Sequence, residues 1–225
     1  MKKLTKTFRK YTSAAVPISL GAAALGVCAT LAPLPAVAAA ANPADAAKLD
    51  QAVAALRAIT TMKADFVQTD RNGQSVSGQL TLKRPGKIRF QYEKSVPMLI
   101  VGDGSALTMI DYEVNQVQRW PIKNSPLGAL LDPSRDVAKY GTLRDTGNPN
   151  VIAVEVRDRQ HPEYGIITLI FTRKAGAPGG LELAYWVALD SQNTRTTIQL
   201  TNQTYGMAVP DSTFRWKDPR PRKRR

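Results

Sequence analysis

Residues 78–90 read Gly78-Gln79-Leu80-Thr81-Leu82-Lys83-Arg84-Pro85-Gly86-Lys87-Ile88-Arg89-Phe90, two alternating runs joined by a Pro-Gly pair. In the first run Val76, Gly78, Leu80 and Leu82 share one side. In the second, Ile88, Phe90 and Tyr92 face one way and Lys87, Arg89 and Gln91 the other. A period of two sends successive side chains to opposite faces of a strand, and Pro85-Gly86 supplies the chemistry of a turn. The stretch predicts an antiparallel hairpin with one buried and one wet face.

The same rhythm continues on both sides. A strand over 63–70 leads into Asn72-Gly73, a strong short-range hairpin signal. Beyond Phe90 come an apolar run at 98–101, closed by Gly102-Asp103-Gly104, and strands at 107–112 and 116–122. Four more are expected at 151–157, 165–173, 181–189 and 195–204, with turn formers such as residues 176–180 between them. Short strands at regular intervals indicate a mainly β sandwich or barrel of about ten antiparallel strands.

Two helical inserts interrupt the strands. Over 43–61, Asn42 can cap, Pro43 suits the first turn, and Leu49, Val53, Leu56 and Ile59 recur at helical spacing. A shorter helix is expected over 125–133, with Ser125 as cap, Leu127, Leu130 and Leu131 on one side and Pro133 as terminator. Residues 134–140 add a turn or two, with Ser134 as cap and Val137 and Tyr140 inward.

The N-terminus carries an address. Lys2, Lys3, Lys6, Arg9 and Lys10 precede an uncharged Ala/Leu/Val-rich run that ends in small residues around 36–40. Positive end, apolar middle and small exit are the parts of a secretory signal. A transmembrane anchor fits less well, because Pro17, Pro33 and Pro35 break the run and no positive cluster follows it. Three segments are therefore expected: a signal peptide over 1–40, a β domain over 41–214 and a basic, disordered tail over 215–225. Cys28, the sole cysteine, falls in the removed segment, so the mature chain has no disulfide, thiolate nucleophile or thiolate metal site.

The formal charge of +13 is unevenly spread. Five bases lie in the first ten residues and seven, with one acid, in the last eleven, which leaves 19 bases against 17 acids over 41–214. A nucleic-acid footprint would be a basic face across the fold; this body is nearly neutral, and no nucleic-acid partner is expected. The tail reads as a solvated, solubilising segment or as one drawn to an anionic membrane surface.

The search for catalysis finds little. His161, the single histidine, sits in a Gln160-His161-Pro162-Glu163 loop without a second ligand or a nucleophile motif. Asp65, Asp70, Asp103 and Asp111 fall at strand ends and turns, where Asp is common, and no glycine-rich phosphate loop precedes a helix. The expectation is a non-enzyme without metal or cofactor.

Apolar surface remains to be covered. The short Leu-rich helix has poor intrinsic propensity, so it must draw stability from docking. Two readings stand open: a permanent piece of core, or a lid over a hydrophobic ligand. Arg84 is the next position on the parity of Val76, Leu80 and Leu82. Either it snorkels into water, or it stands at a cavity mouth and donates to lid carbonyls.

Phe66-Val67-Gln68, residues 78–90, Leu99-Ile100-Val101-Gly102-Asp103-Gly104 and Gln116-Val117 together resemble the LolA family of outer-membrane lipoprotein carriers. The Arg84-Pro85 pair and the Asp103-Gly104 turn are the most distinctive parts. The resemblance implies a mainly β (α+β) fold: an incomplete antiparallel β-barrel of about ten to eleven strands with a helical lid over its concave apolar face. It implies a monomeric periplasmic carrier that accepts lipoproteins from an inner-membrane releasing transporter, shields their acyl chains and passes them to an outer-membrane receptor or to the outer membrane itself. Arg84 matches the family arginine that latches the lid through main-chain hydrogen bonds, and residues 127–131 correspond to lid helix, with Gly128 unexpected there. Ile88 stands where the family often has an aromatic residue. The apolar side chains expected in cavity or lid are Phe66, Leu80, Leu82, Ile88, Phe90, Tyr92, Leu99, Val101, Leu127, Leu130 and Leu131. A binding or sensing module of the same fold for another lipid or glycolipid is the alternative.

Overall fold

The hairpin around Pro85-Gly86 forms as β2 (Ser75–Lys83) and β3 (Lys87–Tyr92), paired in register from Gly78 opposite Tyr92 to Lys83 opposite Lys87. A computed structural model describes residues 43–122, 125–132 and 139–221. The expected signal segment 1–40, Ser134, Val137 and the last four residues lie outside the described residues.

The remaining strands are β1 (Thr61–Thr69), β4 (Met98–Asp103), β5 (Ala106–Asp111), β6 (Gln116–Pro121), β7 (Gly141–Arg144), β8 (Val151–Arg157), β9 (Ile166–Arg173), β10 (Leu181–Leu189) and β11 (Arg195–Tyr205). They make one eleven-stranded antiparallel sheet in the order β6-β5-β4-β3-β2-β1-β11-β10-β9-β8-β7. Every pair joins sequence neighbours except β1 with β11, so the strands run outward in both directions from that central seam. The ends, β6 and β7, do not pair with each other, and the barrel is open. Ten strands match the sequence expectation closely; β7, only four residues long, carries too little alternation to be read.

Alternation fixes which face is buried. Met62, Ala64 and Phe66 of β1 stand opposite Leu82, Leu80 and Gly78 of β2, and all these apolar side chains are buried on the concave side. Gly78 is required there. A Cβ at that position would lie 2.8 Å from the Phe66 ring, which packs edge-on to Phe90 and Tyr92 with centroids 5.3 and 5.2 Å apart. Further along, a bulge between Leu183 and Tyr185 shifts the parity of β10. Leu181 and Leu183 share the core face before it, and Trp186 and Ala188 take that face after it.

Two helices lie on the concave side. In α1 (Pro43–Ala58) the buried residues are Ala52, Val53, Ala55 and Leu56. Its backbone runs close to the β9–β10 turn, where a Cβ on Gly179 would come within 2.8 Å of Ala55 Cα. The other, α2 (Pro126–Leu131), is six residues long, and the Ser125 hydroxyl caps it by accepting from Gly128 N–H at 3.2 Å.

The convex face carries a second, smaller core. Leu99, Val101 and Ile110 are buried there against Tyr112, Val117, Phe214 and Trp216. The C-terminal segment lies across β2 and β3 as a strap. Lys83 Nζ donates to Val209 O at 2.8 Å and meets Asp211 at 2.6 Å, while Lys87 meets Asp211 at 2.9 Å. Arg89 Nη1 donates to the Thr213 and Arg215 carbonyls at 3.0 and 3.1 Å. The expected boundary at 214/215 is corrected accordingly: Arg215 and Trp216 are tied into the fold, because an apolar indole and a carbonyl acceptor find partners on the convex face.

The hydrogen bonds and charges of Lys83 and Lys87 hold the Asp211 carboxyl at about 2. Its folded value is depressed, so its contribution is complete above the ordinary value of 3.8 and is lost as pH falls toward about 2. Amide protection over residues 209–216, taken as the exchange rate relative to the intrinsic rate at each pH, is expected to hold down to pH 4 and to fall between about pH 4 and 2. Asp211→Asn should show the faster exchange already at neutral pH. Equal exchange in variant and parent would remove the role given to these ion pairs.

Candidate functional site: an apolar cavity beneath a short helix

Between α2 and the concave face lies a cavity of about 540 Å³. Its walls come from both arms of the sheet: Ile88, Phe90 and Tyr92 on β3, Met98 and Ile100 on β4, Leu107 and Met109 on β5, and Trp120 with Pro121 on β6. Opposite stand Ile166 and Ile167 of β9, Trp186 and Ala188 of β10, and Thr196 and Ile198 of β11. Pro126 and Leu127 of α2 form the cover. Trp120 and Tyr164 mark the rim, 44 % and 40 % exposed, and Glu163 and Asp190 join them there.

Such a space suits an apolar ligand. The polar atoms in its walls are few, and several already have partners within the protein. Tyr92 donates its hydroxyl to Gln68 Oε1 at 2.7 Å, and burial pushes its phenol up to about 12, against the opposing effect of that bond. The ring therefore stays neutral in any physiological medium. Ser125 donates to the Ile122 carbonyl at 2.8 Å while capping α2. Asp190 accepts from the main-chain N–H groups of Gln192 and Thr194, both at 2.8 Å, and is occupied in shaping its turn.

The helical cover is joined to the β2–β3 turn by main chain. Gly86 N–H donates to the Leu131 carbonyl at 2.9 Å, and Asp132 N–H to Gly128 O at 3.1 Å. Gly86 has φ +76°, and a Cβ there would press to 2.5 Å of Gly104 Cα, so glycine is what lets this turn reach the helix. Arg84 is half-buried beside it, with its Nε buried and without a hydrogen-bond partner. Burial brings the guanidinium down to about 10, opposed by the attraction of Asp132 at the end of α2. It remains charged at neutral pH. Asp132 thus attracts Arg84 toward the end of α2, beside the Gly86 hydrogen bond that ties turn to helix.

The family model described as "Outer membrane lipoprotein carrier protein LolA" matches residues 57–217. The chain belongs to the LolA family. The outer-membrane lipoprotein carrier protein of Dechloromonas aromatica (strain RCB) is 32% identical over 185 residues, which span 78% of this chain and 86% of that relative. The protein of the same description from Chromobacterium violaceum is 29% identical over 189 residues, 80% of this chain and 88% of the relative. Among solved structures, a LolA superfamily protein from Nitrosomonas europaea aligns with a TM-score of 0.44 and 10% identity, over 76% of this chain and 97% of that one. At that level the structural likeness carries no argument, and the assignment rests on sequence.

In this LolA-family chain the expected site residues divide into three sets. Ile88, Phe90, Tyr92 and Leu127 line the cavity. Phe66, Leu80, Leu82, Leu130 and Leu131 share the concave side but lie in the buried core and not on the cavity wall. Leu99 and Val101 require correction: β4 pairs Phe90 with Ile100, which sends Leu99 and Val101 to the convex core under Phe214 and Trp216. The run 98–101 is apolar on both faces, so its composition could not choose between them. Alternation from Phe90 across the ladder would have selected Met98 and Ile100. On β10, Trp186 and Ala188 escape a reading by alternation because the bulge reverses parity partway along the strand.

Among the described residues no group of three or more His, Cys, Asp or Glu is placed to hold a metal ion, and no described helix is long and apolar enough to cross a membrane.

Proposed function

We propose that this chain is a periplasmic, monomeric carrier that houses lipoprotein acyl chains in the 540 Å³ cavity and moves them from an inner-membrane releasing transporter to an outer-membrane receptor or to the membrane itself. The observation that carries the reading is an apolar cavity covered by a six-residue helix, too short to hold its shape except by docking on the sheet. Taking a methylene as about the size of a water molecule, whose share of liquid volume is ~30 Å³, the cavity holds roughly eighteen methylenes. That is one long acyl chain. A cargo with more chains exceeds this volume and must extend through the open mouth or displace α2.

Each methylene withdrawn from a membrane is worth ~0.8 kcal/mol, so a multiply acylated protein does not leave a bilayer by itself. A useful carrier must replace that burial and then give it up. The helix serves this need: whatever stabilises it over the empty cavity works against the loaded state and favours release. Arg84, drawn to Asp132, is one such contribution. With Arg84→Leu the closed state is less favoured, and transfer of a fluorescent triacylated lipopeptide to acceptor liposomes is expected to slow several-fold while capture persists. Transfer at the parent rate would remove Arg84 from the release step. For the function itself, native mass spectrometry of the protein drawn from its own periplasm should find co-purified acylated polypeptide; free lipid alone would contradict a lipoprotein carrier.

A further inference from the structure

The cavity mouth is continuous with an unpaired sheet edge. β6 ends the sheet, and no strand lies beyond it among the described residues. Ile122 N–H donates to Ser105 O at 2.9 Å, which fixes the phase of the ladder. In an antiparallel pair the main-chain groups point alternately toward and away from the partner. Gln116, Gln118 and Trp120 therefore turn theirs toward β5, and Val117 and Arg119 turn theirs outward. Pro121 has no N–H and closes the edge at its end.

Two further observations bear on what this edge meets. Trp120 and Pro121 line the cavity, so a chain leaving the mouth on this side passes directly along β6. The other edge, β7, contributes nothing to the cavity wall. Arg119 is engaged on the outer face with Asp103 at 3.0 Å, and Gln116 and Gln118 are neutral, so the cavity side of this strand holds no charged side chain that a docking segment would have to desolvate. Adding an extended segment to such an edge is a recurrent mode of peptide recognition, in which main-chain bonds supply affinity without regard to side chains.

We propose that the free edge of β6 receives the polypeptide that follows the acylated end of the cargo, its first residues running extended along Val117 and Arg119. This rests on the cavity being the acyl site and adds a second point of attachment for the protein part of the cargo. Main-chain pairing would restrict the cargo sequence little beyond proline.

The test uses two probes: a triacylated cysteine without peptide, and the same group followed by an extended octapeptide. Both are expected to bind. Only the second should slow amide exchange at Val117 and Arg119, with exchange over β7 unchanged. Arg119→Pro removes one outward N–H at an edge position that tolerates proline, and Arg119→Ala retains it as the control for the lost ion pair. Loss of one hydrogen bond of ~1 kcal/mol corresponds to about fivefold weaker binding, expected for the peptide-bearing probe with Arg119→Pro alone. Equal affinities for the two probes with unchanged exchange at Val117 and Arg119 overturn the edge proposal and leave the cavity reading standing. Binding of neither probe overturns both.

Discussion

Ile100→Asp is expected to weaken capture of a triacylated lipopeptide more than about a hundredfold while the protein still folds. Ile100 lies between Phe90 and Met109 in the ladder and projects into the cavity. In the empty protein a carboxylate there borders open volume that water can enter. With an acyl chain seated it loses that water, and an unpaired charge in apolar surroundings costs upward of ~3 kcal/mol, a factor above a hundred. Leu99→Asp is the contrasting variant. Leu99 is 2% exposed beneath Phe214 and Trp216, so the charge should loosen the strap and lower stability with no direct effect on the cavity wall. Titration with the lipopeptide and a thermal melt of each variant separate the two outcomes. Parent-like capture by Ile100→Asp would mean that acyl chains do not pass β4.

Phe66→Ala should have the largest effect on stability. The ring is 1% exposed, sits over Gly78 and meets Phe90 and Tyr92 edge-on near the seam where β1 joins β11. Truncating a buried Phe costs roughly 3–5 kcal/mol, which lowers Tm by about 10 °C in a domain of this size. A melt within two or three degrees of the parent would show that the seam is less tightly packed than its burial indicates. The same variant tests the separation of core from cavity: residual folded protein should bind cargo close to normally, since Phe66 does not line the cavity.

The sheet was legible because its strands obey a period of two and are punctuated by Asn-Gly, Pro-Gly and Asp-Gly turns. Between Ser75 and Pro121 alternation and turns together place strand bounds within one residue at nearly every end. Individual site residues were harder. Ile88, Phe90 and Tyr92 follow from alternation beside a turn that also touches the lid. Leu99 and Val101 do not, because β4 borders a core on one face and the cavity on the other, looks uniformly apolar and hides its parity. Trp186 lies beyond a bulge that inverts the pattern set by Leu181 and Leu183. Trp216, read as part of a solvated tail, packs with Phe214 on the convex core because Leu99, Val101 and Ile110 leave an apolar patch there. Composition marked the chain end as basic; only the register of β3 to β5 reveals what the end rests on.

The central claim is that acyl chains occupy the concave cavity under α2. Its most direct test is photo-crosslinking with a triacylated lipopeptide that carries a diazirine near the end of one acyl chain, followed by peptide mapping of the labelled sites. Labels on Ile100, Met109, Trp186 and Ile198, the walls from both arms of the sheet, are the predicted result. Labels confined to the convex face around Tyr112, Phe214 and Trp216 would contradict it.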